Sequence, residues 1–250
     1  MLLLRRFTNP TPQTHDLPIA LRAANGDTIC VFPADVISNI RQLENTLIYN
    51  HTMPKLLGLV AALGGEGVTY VSLALGTTLA TDLPASICVV ETNWYTPEQL
   101  ARIVGRRVAS PRAEPASAGL ASVLNRTCTL DQALVPTTLP NLQLLPAGDM
   151  PTHLRPSMAR SDALKQCLAQ LSERFDHIIL DIPAIHATSD AIALASLTNA
   201  CCVVIRQGIT PMAQVRQAID SLQHLNLLGV VFNQMHSDLP RWMHALIPQE

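Results

Sequence analysis

The chain has 250 residues, 48% of them apolar and only 14% charged, with a formal net charge of −2, a composition that excludes a disordered chain and provides for one large core. The near-neutral balance argues against a broad electrostatic footprint for nucleic acid or anionic lipid. Six cysteines form no CxxC pair, no apolar run reaches the roughly 20 residues that span a bilayer, and three leucines precede two arginines at the start, the reverse of a secretory signal; a cytoplasmic protein with buried free thiols is expected.

Residues 1–33 mix Pro10, Pro12 and Pro18 with a turn signal at Asn25, Gly26 and Asp27 and a short apolar piece, so they read as an irregular lead carrying a hairpin. From residue 34 to 51, Val36, Ile37, Ile40, Leu43, Leu47 and Ile48 recur at helical spacing. Residues 56–62 then read as the first core strand, 64–67 as a glycine-rich turn and 68–80 as a helix. A second strand at 87–91 is almost continuously apolar, as a parallel strand covered on both faces should be. Residues 105–119, rich in Ala, Ser, Pro and Arg, read as a loop. Short helices follow at 121–124 and 130–134, then a strand at 141–147 and a helix at about 160–174. The strand at 175–183 contains Asp181, and a helix spans 190–197. Strand 200–206, helix 212–224 and strand 227–233 complete the alternation, and residues 236–250 form a tail. No repeat of solenoid length occurs, so residues 34–235 are expected to form one doubly wound, mostly parallel α/β sheet with helices on both faces.

The chemistry concentrates where strands hand over to helices. A glycine-rich turn entering a helix surrounds a small concavity with backbone N–H groups at the positive end of the helix dipole, which suits a phosphate. Gly64, Gly65, Glu66, Gly67, Val68 and Thr69 have that arrangement. A working P-loop carries lysine just before the hydroxyl residue, where it neutralises the β- and γ-phosphates; here that residue is Val68. The chain has only two lysines, Lys55 and Lys165, and Lys55 stands at the far end of the preceding strand. Thr69 keeps the hydroxyl that binds Mg²⁺ in such loops. A tight structural turn is the competing reading of the motif taken alone.

Two carboxylates close the neighbouring strands. Glu91 ends strand 87–91, where ligands bind in open sheets and where a carboxylate can accept a proton; a plain strand cap is the alternative. Asp181 ends an apolar strand in the manner of a Walker B aspartate, which holds Mg²⁺ directly or through water, and it would equally cap the following turn. Eight histidines show no ligand spacing of the zinc type, and no GxSxG elbow is present. Zinc and serine-hydrolase chemistry are therefore set aside.

Taken in order, residues 35–233 resemble the cytoplasmic domain of bacterial tyrosine kinases of the capsule and exopolysaccharide type (BY-kinases), a branch of the ParA/MinD-like P-loop ATPases. Residues 61–69 are similar to that family's Ser-Ala-x-Pro-Gly-Glu-Gly-Lys-Thr, residues 88–97 to its second acidic motif, residues 119–125 to Gly-Leu-Ser-x-x-Leu, and residues 176–191 to its Walker B region. Residues 141–148, 203–210 and 228–233 match further strands. The resemblance implies a P-loop NTPase fold, ATP or ADP with Mg²⁺ as ligand, Thr69 and Asp181 as metal-holding residues, Glu91 and Asp181 as the catalytic pair of an active member, and Asn233 as a base contact. It also implies a membrane polysaccharide co-polymerase as partner and a homo-oligomer.

The departures fall on the chemistry. Lysine is Val68, the two aspartates of the second motif are Glu91 and Asn93, the oligomer-contact motif Glu-x-x-Arg-x-x-Arg reads Ser38, Arg41 and Glu44, and residues 236–250 hold no tyrosine cluster. Losing the loop lysine removes charge stabilisation of phosphoryl transfer. The expectation is a catalytically weak or inactive relative that binds a partner in capsular or exopolysaccharide synthesis. The alternatives are an active ATPase or tyrosine kinase using an arginine such as Arg206, and a ParA/MinD-type positioning ATPase, which Ala61, Ala62 and Leu63 disfavour because they offer no extra loop lysine.

Overall fold

The computed structural model describes residues 17–49, 53–95 and 118–234. The loop expected at 105–119, apart from its last two residues, and the tail at 236–250 lie outside them.

The turn signal at Asn25, Gly26 and Asp27 closes an antiparallel hairpin of β1 (Ile19–Arg22) and β2 (Thr28–Phe32). Helix α1 (Ala34–Tyr49) follows and leads through residues 50–55 to β3 (Leu56–Ala61), every residue of which is buried. Then come α2 (Val68–Asp82) and β4 (Ile87–Glu91). After residue 117 the elements are α3 (Leu120–Leu124), α4 (Leu130–Ala133), β5 (Val135–Pro136) and β6 (Leu142–Leu145). A 3₁₀ turn (Thr152–Leu154) leads into α5 (Arg155–Ala159) and α6 (Asp162–Arg174), then β7 (His177–Asp181) and α7 (Asp190–Ala195). The chain ends its described part with β8 (Ala200–Arg206), α8 (Met212–Ser221) and β9 (Leu227–Asn233).

Seven strands form one sheet in the order β5-β6-β4-β7-β3-β8-β9. Every pairing is parallel except β5 with β6. The sequence pattern missed β5, because two residues containing a proline carry no periodic signal and are held only at a sheet edge. Strand alternation sorts the core into two layers. Val60, Cys88, Val90, Ile178, Leu180, Cys201 and Val203 join one cluster, which α3, α4, α6, α7 and α8 cover. Leu57, Leu59, Ile87, Val89, Ile179, Cys202 and Val204 join the other, with α1, α2 and the hairpin over them. This is the doubly wound, mostly parallel sheet that the alternation of elements predicts.

Two placements matter for the site. Eleven residues of α2 are buried, since it lies flat on the sheet under α1. Gly76 permits that approach: a Cβ there would meet Val89 Cγ2 at 2.6 Å. Helix α1 runs against the direction of β3, because its last turn leads to the start of that strand. Its first turn therefore lies at the carboxyl end of the sheet, where ligands bind in open α/β folds.

Candidate functional site

The turn between β3 and α2 is built as a phosphate cradle. Gly65 and Gly67 have φ of 83° and 88°, a region costly for residues with a Cβ. Gly67 is also the N-cap of α2 and has no side-chain cap bond, so the first-turn amides of the helix point outward without an intrahelical acceptor. Glu66 is 4% exposed. Its carboxylate accepts from Leu63 N at 3.0 Å and from the Thr210 hydroxyl, tying the loop to the turn after β8. Asn233 Nδ2 donates to Glu66 O at 2.8 Å, and Asn233 Oδ1 accepts from Gln234 N at 2.9 Å. Both ends of that carboxamide hold protein backbone, so Asn233 acts as a strut of the loop. From below, Ile185 N and His186 N donate to Ala61 O and Ala62 O.

Asp181 lies beside the cradle, buried to 1% exposure. Burial pushes its carboxyl up to about 7, while a hydrogen bond from the Thr69 hydroxyl acts in the opposite direction. Its Oδ2 is buried with no hydrogen-bond partner among the described residues. An orphaned carboxylate oxygen next to a threonine hydroxyl is a hard, anionic oxygen pair, which suits Mg²⁺ completed by water and phosphate oxygens. Thr69 and Asp181 are the residues that would hold it. A bound Mg²⁺ would supply the positive charge that no described side chain lining the cleft brings to the ionised carboxylate.

Glu91 sits one strand away, paired in register with Asp181. Its Oε2 accepts from Ala147 N at 3.0 Å, and it is not among the residues lining the cleft. The geometry thus brings Thr69 and Asp181 together and turns Glu91 toward the β6 side. Asn93 does reach the cleft. At the rim, Tyr95 donates to Asp190, which is fully buried and ion-paired to Arg160 at 2.7 Å, and Arg155 stacks 5.1 Å from the Tyr95 ring centre.

Around these groups runs a cleft of about 930 Å³, lined by residues 63–69, Asn93, Tyr95, Asp181 and the end of β9, and extending between α1 and α2. Among its described lining residues there is no Lys, Arg or His, and Arg206 is not one of them. Lys55 is exposed at the start of β3, at the opposite edge of the sheet. Sequence reasoning missed the α1 wall (Asp35, Val36, Asn39) and the Thr210 brace. Both come from segments far from the loop in sequence, and only the i, i+4 spacing of Asp35 and Asn39 on an amphipathic helix hints at a shared face.

A glycine loop feeding a helix at the centre of a parallel sheet, with a carboxylate at the end of the adjacent strand, defines a P-loop ATPase scaffold of the ParA/MinD-like branch that includes the BY-kinases. The family model of the cellulose biosynthesis protein BcsQ matches residues 53–246, most of the chain, which therefore belongs to that family. Among curated relatives, the tyrosine-protein kinase ptk of Acinetobacter johnsonii is 28% identical over 120 residues, 47% of this chain and 16% of that protein. The putative tyrosine-protein kinase CapB of Staphylococcus aureus is 28% identical over 127 residues, 50% of this chain and 55% of that one. The matched region thus spans only part of these relatives. Among solved structures, the chimerical protein CapA2B2 superposes with TM-score 0.72 at 19% identity, covering 82% of this chain and 86% of that one. The kinase domain of the Escherichia coli tyrosine kinase ETK gives 0.68 at 18%, covering 96% and 88%. The septum site-determining protein MinD of Pyrococcus horikoshii OT3, complexed with Mg-ADP, gives 0.58 at 20%, covering 76% and 75%. At these identities the structural likeness concerns the fold.

Among the described residues, no helix is long and apolar enough to cross a membrane.

Proposed function

We propose that the chain is a nucleotide-binding regulatory component of extracellular polysaccharide synthesis, weak or inactive in phosphoryl transfer. The family's name points to cellulose as the polymer and the relatives' names to capsule-type systems. The observation that carries the reading is the pairing of an intact cradle with an aliphatic Val68. The glycines, the outward amides, Thr69 and an orphaned Asp181 oxygen favour a phosphate with Mg²⁺, whereas nothing in the described lining of the cleft offers the cation that phosphoryl transfer draws on. Binding through main-chain amides and metal survives such a loss better than catalysis does, because the lysine acts most strongly on charge that develops during transfer. A membrane-bound component of the polymerising machinery is the partner this reading expects, met at the cytoplasmic face.

Calorimetric titration with Mg-ADP and Mg-ATP, run beside a turnover assay, tests it. Expected are saturable binding and negligible turnover, with a large gain in turnover for Val68→Lys. Robust turnover by the natural chain, abolished by Asp181→Ala and barely changed by Val68→Lys, would overturn it in favour of an ATPase or kinase that obtains its cation elsewhere.

A further inference from the structure

On the face of the sheet that α3, α4 and α6 cover, the turn between α3 and α4 and the side of α6 form a depression of about 470 Å³, which shares no described lining residue with the cleft. Helix α3 ends there in a Schellman cap: Thr127 N donates to Ser122 O at 2.9 Å and Arg126 N to Val123 O at 3.0 Å. The residue at the left-handed position of that cap is Arg126, with φ of 59°. Glycine is the ordinary occupant of such a position, because a Cβ is penalised at positive φ. Backbone conformation alone thus disfavours arginine at 126, and what arginine adds is a side chain that lines the depression. Among the described residues its guanidinium has no hydrogen-bond or ion-pair partner. Gln132 Oε1 closes the capping box of α4 by accepting from Thr129 N at 2.8 Å, which leaves the Gln132 amide N–H groups unengaged among the described residues. The Gln170 carboxamide on α6 is also free there and lines the same depression.

We infer that this depression is a docking site for an acidic peptide segment of a partner protein, with Arg126 receiving a glutamate carboxylate. Charge complementarity carries the inference. No Asp or Glu is among the described lining residues, and Asp131, which stands between Leu130 and Gln132 in sequence, is ion-paired to Arg174 on α6 instead. The lining therefore holds one positive charge flanked by neutral amide donors, which matches a singly charged carboxylate. A guanidinium grips a carboxylate through two parallel N–H···O bonds, and the Gln132 and Gln170 amides can donate to backbone carbonyls of the same segment. Val123 and Leu130 give the depression an apolar part, against which the methylenes of a glutamate lie. A partner held here leaves the cleft open, because the two sites have no described residue in common. The site stands or falls independently of whether a nucleotide binds.

The test titrates the full, nitrogen-15-labelled chain with the blocked peptide Ala-Glu-Leu-Glu-Ala and follows the side-chain amide signals of Gln132 and Gln170 by NMR. The Gln-for-Glu version of the peptide and inorganic phosphate serve as the other two probes. Saturable shifts are expected with the acidic peptide, weakening as salt is raised, and the neutral peptide should bind about tenfold or more weakly, the scale of a charge-assisted hydrogen bond. Arg126→Gly should lose about tenfold or more in affinity while its Tm stays level or rises, because glycine suits the left-handed cap. Arg126→Gln keeps the Cβ and removes the charge, and it should lose the same affinity; it tests the charge without altering the cap's demand on the backbone. Binding of the acidic peptide by both variants as tightly as by the natural chain would overturn the assignment. So would equal affinity for the neutral peptide, for phosphate or for both, and so would the absence of saturable shifts with the acidic peptide.

Discussion

Asp181 and Gly67 show how single residues set the site. Asp181 is held at the end of β7 by the sheet, fully desolvated, and among the described residues the Thr69 hydroxyl is what shares its charge. Ionising it is costly unless a cation arrives, which makes it the residue through which metal and nucleotide are coupled. Asp181→Asn is expected to leave the fold intact and to weaken Mg-ADP binding by about tenfold or more while abolishing its dependence on Mg²⁺, as read by titration with and without the metal. Gly67 acts through space and conformation together. It has positive φ, and a Cβ there would stand 2.1 Å from Asn233 Nδ2. Gly67→Ala must displace the Asn233 strut and is expected to lower stability by roughly 1–3 kcal/mol in urea unfolding, with loss of nucleotide binding. The glycines, Thr69 and Asp181 were legible in the sequence because each sits in a local pattern. The environment of Glu91 was not, because its partner Ala147 is 56 residues away.

At the level of elements, α1 is fastened to α2 by polar side chains as well as apolar ones. The sequence positions that match the family's chain-to-chain contact motif are Ser38, Arg41 and Glu44, and the structure turns all three inward or sideways. Ser38 and Glu44 are buried, and Arg41 makes a two-pronged ion pair to Asp82 at the end of α2, at 2.6 and 2.9 Å. Burial, with the nearby Asp82 carboxylate adding to it and Arg41 opposing, pushes Glu44 up to about 7 from its ordinary 4.5. A carboxyl whose folded value is raised binds its proton more tightly in the native state. Its contribution to stability is complete below about 4.5 and is lost as pH rises through about 7. Glu44→Gln, which keeps the shape and removes the charge, is therefore expected to match the natural chain in Tm near pH 4.5. Near pH 8.5 it should exceed it by roughly 2–6 °C. A Tm difference that is flat across this range would show that the α1–α2 interface accommodates the charge.

For the whole molecule, the sheet order puts β3 at the meeting point of both cores and β9 at an edge. Leu59 is fully buried between β7 and β8, whereas Leu228 on β9 is only partly covered. Leu59→Ala should lower the unfolding free energy by roughly 2–5 kcal/mol and Leu228→Ala by less than about 1.5 kcal/mol, as read from urea midpoints at unchanged slope. Equal effects would mean that β9 is covered as completely as the centre. The same order explains the cleft: β3, β7 and β9 present residues 63–69, Asp181 and Asn233 at one edge of the sheet, and α1 closes the remaining side.

The sequence by itself determined the alternation of buried strands and helices, most of their ends, the parallel sheet and the degenerate loop, because periodicity and glycine-rich turns are properties of neighbouring residues. Strands 87–91, 200–206 and 227–233 agree with the structure to the residue, since continuous apolar runs stop where the sheet stops. Only the tertiary structure decided which polar groups meet. It turned Glu91 to Ala147, set Thr210 against Glu66, engaged Asn233 as a strut and left Asn39 open in the cleft, because hydrogen bonds between distant segments depend on how elements pack, and no local pattern encodes that.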